Sequence, residues 1–238
     1  MITTILFDLD GTLLPVDMNV FIKEYLKGLG SKLKDYFEPK ELSKLVLECT
    51  NQMLVSNDLE KTNEEVFFDH FYKNTNHMPE TLRPVFEDFY INEFSKLKEF
   101  TSENHLIKES VRILKDKGYN LVVATNPLFP KKAITNRIEW AGLNTKDFSL
   151  ITSFENMHFC KPNIEYYREI LEQIKRDPTE CMMIGNDVEE DMVSKKLGLK
   201  TFLIEDNIIK RGDDLSNIDY KGNYEDFYKF VLELPGRG

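Results

Sequence analysis

Short apolar, β-branched runs alternate along this chain with longer stretches of helical spacing, and one long block of purely helical texture interrupts the alternation. The runs Ile2–Leu6, Tyr119–Thr125, Phe148–Thr152, Met182–Gly185 and Lys200–Ile204 read as buried strands, being four to seven residues long and bounded by turn residues. Between them, residues 109–117, 131–141, the stretch after Pro162 and the stretch ending at Gly198 read as helices, and a last helix covers 224–232. Strand and helix in alternation predict a parallel sheet with helices on both faces. From about Met18 to Phe100 no alternating strand occurs. Four or five helices are expected there, with breaks at Gly28–Gly30, Asn57–Asp58, Asn74–Asn76 and Met78–Pro79. Their aromatic residues recur at i, i+3 and i+4, which is the signature of a bundle core rather than of a ligand pocket. His70 and His77 have no Cys or acidic partners at ligand spacing and read as ordinary residues, and Trp140 reads as a packing residue.

Composition narrows the function classes. A chain of 238 residues with 41% hydrophobic content suits one large domain, or a core with an insert. The net charge of -10 argues against a nucleic-acid partner, which needs clustered Lys and Arg, but leaves room for a small phosphorylated ligand. Cys49, Cys160 and Cys181 are widely spaced with no C-x-x-C, as suits a reducing compartment. With no basic leader and no apolar run of membrane length, the expectation is a soluble cytoplasmic protein, monomer or dimer, with no membrane partner.

The candidate chemistry lies just past the strands. Asp8 and Asp10 follow the first strand, and residues i and i+2 of an extended segment face the same way, so the two carboxylates can converge. Gly11 allows a sharp turn and a close approach of a ligand to the backbone. Alone, such a pair is equally a strand end with two solvated acids. Close carboxylates repel unless a cation or a shared proton relieves them. Thr125 and Asn126 end the second strand, where a small hydroxyl and free backbone amides can hold an anionic oxygen. Lys161 precedes Pro162 and Asn163, which can open a helix. The acidic loop Asn186-Asp187-Val188-Glu189-Glu190-Asp191 follows Gly185, and by itself could merely favour a helix N-terminus.

Phe7-Asp8-Leu9-Asp10-Gly11-Thr12, Thr125 at a strand end, Lys161-Pro162 and the loop after Gly185 occur in an order that resembles the four motifs of the haloacid dehalogenase-like (HAD) superfamily, the first being D-x-D-x-T/V. The resemblance spans the core, roughly 120 residues. It implies a Rossmann-like α/β core of residues 1–16 and 103–238, and it makes residues 17–102 a small all-helical cap inserted after the first motif. It also implies a Mg2+-dependent phosphatase of a small phosphorylated metabolite that works through an aspartyl-phosphate. Asp8 would be the nucleophile and Asp10 the acid and base, while Thr125, Asn126 and Lys161 would bind the phosphoryl group. The metal would be held by Asp8, the Asp10 carbonyl and Asp187. Asn186 stands directly after Gly185 where many members have Asp. Asp187 is favoured as the ligand because a hard cation gains more from a charged oxygen, with Asn186 as the weaker alternative. Asp191 is expected to be a supporting metal ligand, or to orient metal-bound water or Lys161 from behind. The presence of Asp10 favours phosphate chemistry over dehalogenation. A phosphomutase using the same covalent step and a non-catalytic binding module are the alternatives.

Overall fold

The computed structural model describes residues 1–237. Six parallel strands form one sheet in the order β3-β2-β1-β4-β5-β6: β1 (Thr4–Phe7), β2 (Asn120–Val123), β3 (Leu150–Ile151), β4 (Cys181–Gly185), β5 (Lys200–Ile204) and β6 (Tyr220–Gly222). The alternation of side chains along each strand sorts the core into two layers. Ile5, Phe7, Leu121, Val123, Met182 and Ile184 face one side and pack with α5 (His105–Asp116), α6 (Lys131–Trp140) and α8 (Tyr224–Glu233). Leu6, Val122, Cys181 and Met183 face the other side and pack with α7 (Ile164–Ile174). The expected α/β core with helices on both faces is therefore present.

Elements of the core differ in places from the sequence reading. β6 was not legible, being a three-residue edge strand with two exposed positions. The segment before Gly198 is a 3-10 helix, Met192–Leu197, rather than an α-helix.

The block between β1 and α5 is helical throughout: α1 (Met18–Lys32), α2 (Pro39–Val55), α3 (Asn63–Lys73) and α4 (Pro79–Asp88), then a π turn and a 3-10 helix ending at Phe100. The expected break at Gly28–Gly30 is absent, and α1 runs through it. A Cβ on Gly28 would stand 3.4 Å from the Phe89 ring, and one on Gly30 would stand 3.3 Å from Pro39. The glycines let neighbours approach the helix closely, which offsets their poor helix propensity. Asp17 caps α1, and Thr62 with Glu65 forms a capping box on α3.

The aromatic residues form the core of this block, as their spacing implied. Phe71 lies against Phe86 at 5.4 Å, and Tyr25 against Phe129 of the sheet domain at 5.3 Å. Trp140 of α6 stacks on Phe94 at 5.5 Å, so the helical block is seated on α6 by aromatic contact. His77 is wedged edge-on against Tyr36 and Phe37, with Nε2 3.1 Å from the Tyr36 carbonyl oxygen.

Candidate active site

β1 is the middle of the sheet, flanked by β2 and β4, and the crevice beyond the carboxyl ends of such strands is where open α/β sheets bind ligands. The Asp8 N–H donates to the Ile184 carbonyl at 2.8 Å, and the Ala124 N–H to the Phe7 carbonyl at 2.7 Å, so the three strand ends are tied together. Past them lies a cavity of about 210 Å³ lined by Asp8, Asp10, Thr125, Asn126, Asn186, Asp187, Glu190, Asp191 and Arg211, among others.

Asp8 and Asp10 do not share a partner. β1 ends at Phe7, and the chain turns at Gly11, whose φ of +85° suits glycine and whose Cβ would stand 2.3 Å from Asn186 Nδ2. Each carboxylate has its own buried cation. Lys161 Nζ donates to Asp8 Oδ1 at 2.8 Å and to Asp191 Oδ1 at 2.6 Å, with the lysine side chain 1% exposed. Arg137 Nη1 of α6 donates to Asp10 Oδ2. Burial alone would lower the Lys161 pKa, but Asp191 and Asp8 outweigh it and hold the ammonium well above its ordinary value. Burial pushes the Asp10 carboxyl up against the pull of Arg137. It also pushes Asp191 up against the pull of Lys161.

The fourth-motif loop folds back beneath β4. A Cβ on Gly185 would fall 2.1 Å from Asp191 Oδ2, so only glycine leaves room for that carboxylate. Asp191 Oδ2 accepts from the Asp187 N–H at 2.9 Å while Oδ1 holds Lys161, which places Asp191 behind the lysine. Both polar atoms of the Asn186 side chain have protein partners. Its Oδ1 accepts from Thr12 Oγ1 at 3.1 Å, and its Nδ2 donates to the Asn207 carbonyl at 2.6 Å. Asp187 Oδ1 accepts from the Glu189 and Glu190 N–H groups and from Arg211 Nη1 at 2.8 Å, leaving Oδ2 without a hydrogen bond.

Thr125 is buried, and its carbonyl is fixed by Thr152 Oγ1 and the Tyr166 hydroxyl. The Asn126 carboxamide bridges: Oδ1 accepts from the Lys161 N–H at 3.2 Å and Nδ2 donates to Glu190 Oε2 at 3.1 Å. Any contact of Asn126 with a ligand therefore falls to its backbone. Among the described residues, the N–H groups of Leu9, Asp10, Thr125 and Asn126 donate to no protein acceptor. Free amides at the ends of two adjacent strands can together hold an anionic oxygen.

Sequence reasoning missed Arg137, Glu190 and Arg211. Arg137 carried a readable signal, since it stands on the buried face of α6 with Ala133, Ile134 and Ile138. Arg211 lies on the β5–β6 loop, which is clasped to the fourth motif by reciprocal backbone bonds of Ile209 with Asn186 and Val188. Nothing local in the sequence marks it.

Five carboxyl groups around the cavity face three cationic side chains, an excess that suits a divalent cation. Among the described residues no three Asp, Glu, His or Cys side chains converge to form a metal site unaided. Divalent hard cations such as Mg2+ bind one or two carboxylates and fill their remaining positions with water and phosphate oxygens. Asp8 and Asp187 both line the cavity, and each has a carboxyl oxygen that accepts no hydrogen bond.

The model of the family described as haloacid dehalogenase-like hydrolase matches residues 5–204. Pyrophosphatase PpaX of Bacillus velezensis is 25% identical over 201 residues, which are 84% of this chain and 82% of that protein. Among solved structures, CbbY from Rhodobacter sphaeroides in complex with phosphate aligns with a TM-score of 0.62 at 18% identity, covering 98% of this chain and 100% of its own. The magnesium-bound crystal form of YfnB from Bacillus subtilis aligns with a TM-score of 0.57 at 18% identity, covering 97% and 98%. No helix among the described residues is long and apolar enough to cross a membrane.

Proposed function

The chain belongs to the haloacid dehalogenase-like hydrolases and is an enzyme of the phosphatase kind, and from that premise we propose that it hydrolyses a small phosphorylated metabolite with Mg2+, through a phosphorylated Asp8. The observation that carries this reading is the buried Lys161 ammonium 2.8 Å from Asp8 Oδ1, with Asp8 on a cavity beside strand ends whose backbone N–H groups are free. It supports Asp8 as the nucleophile and the strand ends as the phosphate-binding site.

In this reading the phosphoryl group enters the cavity with its oxygens toward the amides of Leu9, Asp10, Thr125 and Asn126 and toward Lys161. Asp8 Oδ2, the oxygen that Lys161 leaves free, attacks phosphorus. The bond to the leaving oxygen breaks, and Asp10 supplies that oxygen with a proton. Asp10, now a carboxylate, takes a proton from water, which attacks phosphorus, releases inorganic phosphate and restores Asp8. Lys161 stays charged throughout, kept so by Asp191. Mg2+, held by Asp8, the Asp10 carbonyl and Asp187, would offset the repulsion between nucleophile and phosphate. Asn186 supports the site by fixing Thr12 and Asn207 rather than by binding the metal. The helical block, residues 17–102, serves as a cap over the cavity.

Phosphate release should be measured from p-nitrophenyl phosphate and from a panel of sugar, nucleotide and acid phosphates. Inorganic pyrophosphate joins the panel because a relative is named a pyrophosphatase. Release that requires Mg2+, stops with EDTA and vanishes in Asp8→Asn is the expected result. Activity that survives Asp8→Asn would refute the covalent route. A phosphorylated Asp8 that forms without net phosphate release would indicate a mutase.

A further inference from the structure

Leu128 and Phe129, which follow Thr125 and Asn126 along the chain, line the active-site cavity and also a second cavity of about 90 Å³. The second cavity is walled by residues of α1, α2, α3 and α4 and of the π turn in the helical block, and by Phe154 of the sheet domain. Its lining residues include no Asp, Glu, Lys, Arg or His. The polar side-chain atoms it carries have partners in the wall itself. The Tyr25 and Tyr90 hydroxyls are bonded to each other at 2.8 Å, and Thr50 Oγ1 donates to the Val46 carbonyl at 2.9 Å. Well-packed cores leave few voids larger than a water molecule, and atoms facing a void forfeit dispersion energy. Packing therefore does not account for a space of this size beside the active site. A neighbouring cavity of about 380 Å³ shares Phe68, Phe86, Tyr90 and Phe154 with it and does carry charge. There Glu64, Glu87 and Glu155 outnumber Arg83 and Lys132, so it offers no net positive charge to a second anionic group.

We propose that the substrate is the phosphate ester of an uncharged, apolar alcohol, whose hydrocarbon part runs along Leu128 and Phe129 and is seated in the second cavity. The proposal rests on the phosphatase reading, since it assigns the substrate class of that same site. A polar or charged alcohol entering this space gives up its water without gaining a partner, whereas a hydrocarbon gains by leaving water. The volume suits a short alkyl chain or a single ring rather than a long chain. Leu128 and Phe129 are then specificity-determining residues, because they are the side chains common to the phosphate end and the apolar end.

The test is turnover of methyl, ethyl, propyl and butyl phosphate by the full chain with Mg2+, beside glycerol 1-phosphate and phosphoglycolate. The alcohols of the alkyl series differ little in acidity, so the series reads how the hydrocarbon part is bound. Each methylene should raise kcat/KM about 4-fold, the factor that corresponds to burying one CH2 group. Propyl phosphate should exceed glycerol 1-phosphate and phosphoglycolate by about 10-fold or more. Binding of the matching alkylphosphonates, whose P–C bond is not cleaved, is followed by titration calorimetry and should tighten by about the same factor per methylene. Thr50→Phe, which fills the cavity from α2, should cut the gain from methyl to butyl from about 50-fold to less than about 5-fold. The wild-type series decides the matter even where Thr50→Phe does not fold. A flat alkyl series, a preference for glycerol 1-phosphate or phosphoglycolate, or a folded Thr50→Phe protein with an unchanged gain would overturn the proposal and leave the phosphatase reading standing. Phosphonates that tighten with chain length while no ester is hydrolysed would uphold the apolar seat and overturn the phosphatase reading.

Discussion

Replacing Lys161 by Met keeps the buried stem and removes the one cation shared by Asp8 and Asp191. Both the lysine and the Asp191 side chain are 1% exposed, and that of Asp8 is 12% exposed, so solvent screens little of the change. Removing one partner of a buried ion pair costs about 3–5 kcal/mol, because the partner is left charged and unpaired. For a 238-residue chain about 1 kcal/mol corresponds to about 2–4 °C in Tm, so the loss should be at least about 6 °C at pH 7. The pH dependence carries the sign. In wild type the Lys161 pKa is raised, so its contribution is complete below the ordinary lysine range and is lost only as pH climbs through the raised value. That contribution is constant between pH 5 and 7. Asp191 is pushed up to about 8 even beside Lys161 and climbs further without the cation, so the deficit should be the same at pH 5 and 7 and should widen above pH 8. A second change, Asp191→Asn, preserves the acceptor for the Asp187 N–H and carries no charge at any pH, so it should abolish that widening. Differential scanning calorimetry at pH 7 and 9 is the assay. A Lys161→Met protein within 2 °C of wild type, or one whose deficit fails to widen at pH 9, would refute the shared-cation argument.

Other consequences follow from the same geometry. Gly11→Ala places a Cβ against Asn186 Nδ2 at a φ of +85°, and should cost about 2 kcal/mol or more in urea unfolding together with most of the phosphatase activity. Asn186→Asp removes the donor to the Asn207 carbonyl, and should lower stability by about 1–3 kcal/mol in EDTA, read from thermal unfolding; an unchanged Tm would contradict the structural role given to that amide. Burial raises the Glu190 carboxyl, with Asp187 adding to the effect, so ionising it opposes folding. The stability of the folded form should decline as pH rises from the ordinary Glu value through the raised one, and Glu190→Gln should flatten that decline in pH-dependent unfolding.

The motifs carried by single stretches were legible because their causes are local. Ile5, Leu6 and Phe7 announce a buried strand, Gly11 announces a turn, and Asp8 and Asp10 are placed by both. Asn163 capping α7 just after Lys161 is a local signal of the same kind. The helical block was legible from its aromatic spacing. Its break at Gly28–Gly30 was misread, because a glycine that ends a helix and one that admits a neighbour's ring look alike until the neighbour is known.

What the sequence determined by itself is thus the alternating α/β core, the helical insert, and the set of residues that stand past the strand ends, since period, turn chemistry and chain order decide these. What only the tertiary structure decided is which charge answers which. The D-x-D spacing suggested one shared point for both acids, yet Asp8 pairs with Lys161 and Asp10 with Arg137, 127 residues away. The amide of Asn186 is spent on Thr12, 174 residues away, and on Asn207. Arg211 reaches Asp187 only because the β5–β6 loop doubles back onto the fourth motif. The energy of a buried charge depends on the atoms packed around it, and those atoms are brought together by the sheet order rather than by proximity along the chain.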